Sequence, residues 1–238
     1  MAAALRAALL PGTSDRHGPL VPMMIALTLL TGVVDAVSYL RLGHVFVANM
    51  TGNVVFLGFA LAGAGGVSIA SSLIALGAFL LGARAGGRIG TRLGVHRGHL
   101  VRAATAVQAT LIAAALAIAL ASSAPEPDGV RYAITAVLAV AMGIQNALAA
   151  RIAVPELTTT VLTKTLTGLA SEAGRDVAMS VRRVTAVLAM VMGALAGGLL
   201  ALEVSVAAGL ALALALACTV AVAAHVSSRG APAWTADK

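Results

Sequence analysis

A succession of apolar stretches, most of them about 20 residues long and separated by short polar or glycine-bearing turns, constrains this chain more than any other feature. Eight segments are read, with approximate limits 20 to 41, 45 to 65, 67 to 87, 101 to 122, 131 to 150, 157 to 172, 184 to 202 and 204 to 226. A helix of about 20 residues crosses a hydrocarbon core of roughly 30 Å. Unpaired backbone groups are too costly in lipid, and the short alternating strands of a barrel do not appear, so the spans are expected to be helical. Composition agrees: 60% of residues are hydrophobic, 11% are charged, and the mean hydropathy is +0.98. Such values exclude an ordinary soluble domain.

The charges are placed as topology signals. The net charge is +7, but Arg84, Arg88, Arg92, Arg97 and Arg102 flank one inter-segment loop and Arg175, Arg182 and Arg183 flank another. Positive short loops stay in the cytoplasm, so these clusters mark the expected cytoplasmic face and nucleic acid is not an expected partner. The stretch SSAPEPDG, residues 122 to 129, has two acids and no base and reads as an extracytoplasmic turn. Residues 1–19 and 227–238 then read as cytoplasmic tails around one integral membrane domain, residues 20–226, and the first of them does not read as a cleaved signal.

That turn lies near the midpoint of a pseudo-repeat. AFLLGARAGG, from residue 78, recurs as AMVMGALAGG from residue 189, an offset of 111. The same offset carries GVVDA, residues 32 to 36, onto GIQNA, residues 143 to 147. The reading is a duplication with halves 20–122 and 131–226.

Two segments are poor lipid-facing helices. VFVANMTGNVVFLGFALAG carries Asn49, Thr51, Gly52 and Asn53, and ELTTTVLTKTLTGLASE carries Thr159, Thr160, Thr163, Lys164 and Thr165. With one residue of slack the two polar knots align across the halves. Polar or irregular backbone at membrane depth is tolerated where protein or water surrounds it, and matched interruptions in two halves point to a transporter's binding site. The expected fold is therefore an all-α polytopic membrane bundle with about six full spans and two broken or re-entrant segments. If both polar segments return to the side they left, both termini lie inside and only Arg41 and Arg131 are misplaced. Three spans per half also makes the halves inverted.

GVVDAVSYLRLGHVFVANMTGNVVFLG, MGIQNALAARI and LTTTVLTKTLTGLASE, in that order, resemble the YoaK-like family of bacterial multi-pass inner-membrane proteins. The resemblance covers nearly the whole chain. It implies about six membrane helices and carries no assigned biochemical activity, so function has to be argued from the site.

Asp35 lies inside the first segment, where an acid costs roughly 3 kcal/mol, and it is expected to face the bundle interior. Its repeat partner is Asn146, beside Gln145. Amides there either bond to neighbouring helices or line a polar path. Gly82 with Gly86 and Gly193 with Gly197 form GxxxG pairs, which are expected to let the third and seventh segments pack backbone to backbone across the pseudo-twofold. No metal site is expected, because His96 and His99 lack Cys or acidic companions at ligand spacing. No cofactor loop or catalytic motif appears, and no enzymatic role is expected. The expectation is a secondary transporter or channel-like permease for a small polar solute or ion, its site formed by the two breaks near the midplane. The alternatives are a non-transporting sensor or scaffold, and an enzyme acting on lipid. The lipid bilayer is the expected environment, with a second copy of the chain as a further partner.

Overall fold

A computed structural model of the chain describes residue 9 and residues 17–93, 97–122, 125–154, 162–171 and 177–229. Most of both tails thus lies outside the described residues. The described chain is helical and contains no strand. Its helices are α1 (Leu20–Arg41), α2 (Met50–Leu61), α3 (Ile69–Leu93), α4 (Arg97–Ala121), α5 (Asp128–Ile152), α6 (Leu162–Ser171), α7 (Val177–Leu199) and α8 (Val206–Ser227). A π-helical turn, Leu200–Val204, extends α7.

Six of these helices, all but α2 and α6, are long and apolar enough to cross a membrane. The protein is a multi-pass helical bundle. The 12 residues of α2 rise about 18 Å, well short of a bilayer core, and the described part of α6 is 10 residues long. Local chemistry sets several of the ends. Gly43, at φ +108°, turns the chain out of α1. Ala153, left-handed at φ 48°, ends α5 two residues before Pro155. The Ser205 hydroxyl accepts from the Ala208 N–H and caps α8.

Buried threonines do not disturb the helices that carry them. Thr28, Thr31 and Thr105 donate to the carbonyls of Met24, Leu27 and Val101, each one turn earlier.

The most deeply buried spans are α1 and α5. Helix α1 packs on α7 and α8, α5 packs on α3 and α4, and α4 packs on α8. In lipid the association rests on close backbone approach rather than on exclusion of water, so small residues sit at the crossings. A Cβ on Gly82 would lie 2.1 Å from the Val140 carbonyl oxygen, and one on Gly143 would lie 2.2 Å from that of Phe79. The other crossing has the same composition: a Cβ on Gly193 would lie 2.0 Å from Leu29 O, and one on Gly32 would lie 2.4 Å from Met190 O. Each of these residues maps onto its counterpart by the offset of 111 seen in the sequence, as do Gly86 beside Ile144 and Gly197 beside Val33. The two GxxxG pairs therefore pack on α5 and α1, not on each other. The groove opened by each pair is filled by a helix bearing its own glycine.

Rising residue numbers on both sides make α3 parallel to α5 and α1 parallel to α7. By contrast α4 is antiparallel to α8, with Arg102 near the start of one 3.4 Å from His225 near the end of the other. One end of the bundle gathers the basic residues: Arg97 donates to the Ile152 carbonyl at 2.8 Å, and the Arg151 side chain lies against Gly90. At the opposite end Arg131 pairs with Asp128.

Candidate functional site

Asp35 stands on the fifth turn of α1, 5% exposed. After Gly43 the chain doubles back, and the N–H groups of Val47 and Ala48 donate to Oδ1 at 2.9 and 2.8 Å. The side-chain amide of Asn49 donates to Oδ2. Every contact of the carboxyl is thus with a donor, as an ionised carboxylate requires. The loop is closed a second time by Asn53, which is fully buried: it accepts from the Phe46 N–H at 2.8 Å and donates to the Phe46 carbonyl at 2.6 Å. Gly52 is glycine because a Cβ there would lie 2.7 Å from the Phe46 ring. Thr51 points outward and is exposed.

The NMTGN stretch is therefore a folded clasp held on Asp35. Its rings cover the clasp: Tyr39 stacks on Phe46 with centroids 5.2 Å apart, Phe56 lies 5.7 Å from Phe46, and His44 meets the edge of Tyr39. Beside the carboxylate, between α1 and α7, is a groove of about 430 Å³ whose lining includes Gly32, Ala36, Tyr39, Phe46, Asn49 and Met190.

The other expected residues fall elsewhere. Gln145 donates to the Thr31 hydroxyl at 2.9 Å and accepts from the Gln108 amide, which links α5, α1 and α4 deep in the bundle. Asn146 donates to Met142 O at 3.0 Å, on its own helix. Thr163 is exposed and Thr165 buried on α6, whereas Thr159, Thr160 and the side chain of Lys164 lie outside the described residues. Gln108 and Thr31 are additions that sequence reasoning missed. Gln108 carried a usable signal, as the one amide in the apolar run VRAATAVQATLIAAA.

Of the second break only Leu162–Ser171 lies within the described residues, so its approach to the first is not described. Among the described residues α2 packs on α3 and α6 packs on α7, with Arg183 donating to the Gly168 carbonyl at 2.7 Å. The groove at Asp35 is lined on α7 by Met190 and Ala194, about two to three helical turns beyond the contact at Arg183. Parallel packing of α1 on α7 sends the end of one and the start of the other to opposite faces. No group of three His, Cys, Asp or Glu able to hold a metal occurs among the described residues.

Residues 23–223 match the family described as "Protein of unknown function (DUF1275)". The chain belongs to this family. The chain is also similar to the "UPF0700 transmembrane protein YoaK" of Bacillus subtilis (strain 168), 34% identical over 148 residues. That match covers 62% of this chain and 64% of the relative, so the chain spans less than two thirds of the relative's length. No solved structure matches the chain. The relative's name, a transmembrane protein, agrees with the six long apolar helices, and neither match attaches an activity to the chain.

Proposed function

We propose that the protein is a secondary transporter made of two duplicated, inverted halves, in which each polar break closes one face of the bundle. The observation that carries the reading is the recurrence of both glycine crossings at a single offset, α1 on α7 and α5 on α3. Helices α4 and α8, which hold the same place in the two halves, run antiparallel, as an inverted relation demands. Inverted halves place equivalent elements on opposite faces, and exchange of their two conformations alternates access. On this reading the Asp35 clasp is the gate on one face and the α6 segment, with Lys164 and Thr163, is the gate on the other. The Gln108–Gln145–Thr31 bridge lies between them.

The arginine-rich end faces the cytoplasm of a bacterial inner membrane, with the C-terminus on that side. The cargo is a small solute that reaches Asp35 from the groove. A second reading, a non-transporting scaffold, draws on the internal hydrogen bonds of Asn49, Asn53 and Gln145.

Reconstituted vesicles on a solid-supported membrane test the choice, challenged with panels of organic cations, amino acids and anions. Transport predicts saturable currents for one class, abolished in Asp35→Asn. Silence across all panels from folded protein favours the scaffold. A current that survives Asp35→Asn combined with Lys164→Ala removes the mechanism.

A further inference from the structure

We infer that the groove at Asp35 is a binding site for an organic cation carried on an apolar body, an amine or a quaternary ammonium. As a binding site it stands by itself; as the identity of the cargo it rests on the transport reading above.

Three observations converge on this class. The first is an uncompensated charge. Asp35 takes its hydrogen bonds from two backbone N–H groups and one neutral amide, which stabilise the carboxylate without neutralising it. Among the described residues no cation stands within ion-pair distance. The neighbouring elements contribute none to the groove: α7 presents Met190 and Ala194, and the loop presents Phe46 and Asn49. A negative charge at membrane depth costs roughly 3 kcal/mol on insertion scales, and a ligand cation is the partner that offsets it.

The second is aromatic. The chain has seven aromatic rings, four Phe, two Tyr and one Trp. Four of them, Tyr39, Phe46, Phe56 and Phe59, form one continuous cluster here, and two of these, Tyr39 and Phe46, line the groove itself. An aromatic face beside a carboxylate recognises ammonium groups, and each such contact contributes about 0.5–2 kcal/mol.

The third is shape. The remaining wall is Gly32, Ala36 and Met190, and a space of about 430 Å³ accommodates an apolar body the size of a substituted benzene ring. An anion would meet the carboxylate with no basic side chain to hold it. A neutral polyol would leave most of its hydroxyls facing apolar walls.

The test is calorimetric titration of the full chain in detergent with benzyltrimethylammonium, and with its neutral carbon isostere neopentylbenzene as competitor. Wild type is expected to bind the cation saturably, and the isostere to leave that binding in place. Asp35→Asn keeps an oxygen for the Val47 and Ala48 N–H groups and should weaken binding at least ten-fold. Ala194→Phe, which fills the groove from α7 and leaves the carboxylate alone, should do the same and guards against a folding defect in the first variant. No saturable binding to wild type, equal competition by the isostere, or wild-type affinity in both variants overturns the assignment. Vesicle uptake of the same cation separates the two claims. Binding without uptake keeps the site and removes the transport reading; a current for another solute with no cation binding does the reverse.

Discussion

Asp35 sits in a helix made mostly of Leu, Val, Thr and Met, and the loop that follows is what makes its charge tolerable there. Asp35→Ala would strand two backbone N–H groups and the Asn49 amide at a site 5% exposed. Bonds to a charged acceptor contribute about 1.5–3 kcal/mol each, so a loss of about 3 kcal/mol or more is expected. Asp35→Asn, which keeps the acceptor for the two N–H groups, should lose less than half of that; thermal unfolding in detergent reads both. The amide bridge behaves differently. Gln145→Leu leaves the Gln108 amide without its oxygen and should cost about 1 kcal/mol, while adding Gln108→Leu should restore part of it, a coupling visible in a double-mutant cycle. At this scale the sequence is half legible. Asp35 and Asn53 announce themselves as polar residues in apolar runs. Whether they line a path or clasp a loop depends on backbone groups 7 to 13 residues away, which no periodicity encodes.

Glycine crossings decide how the elements fit. A Cβ on Gly82 or Gly193 would fall within 2.1 Å of a facing carbonyl oxygen, so Gly82→Ala and Gly193→Ala must push two helices apart. Each is expected to lose about 1–3 kcal/mol, by similar amounts, because the two crossings match residue for residue. Gly87→Ala is the control: nothing lies within 4 Å of that position, and the change should be neutral or slightly stabilising. The motif itself is plain in the sequence at both places. Its partner is not, since spacing along one helix does not say which neighbour brings the complementary glycine. The short element α2 was readable for another reason: polar residues interrupt the apolar run at Asn49, and the helix there ends at 12 residues.

For the whole molecule, the class of fold follows from hydropathy and length alone, and six of the described helices are long and apolar enough to cross a membrane. The relation of the two breaks does not follow from hydropathy. Aligning them in sequence suggests that they converge; in the bundle α2 packs on α3, and the described part of the second break, α6, packs on α7. The central claim is that inverted halves put one break at each face of the membrane. Single cysteines at Ala64, after α2, and at Ser171, the last residue of α6, both exposed, test it on a Cys218→Ser background with a membrane-impermeant maleimide added from one side at a time. The account predicts that Ala64→Cys labels from the outside only and Ser171→Cys from the cytoplasmic side only. Labelling of both from the same side would contradict it.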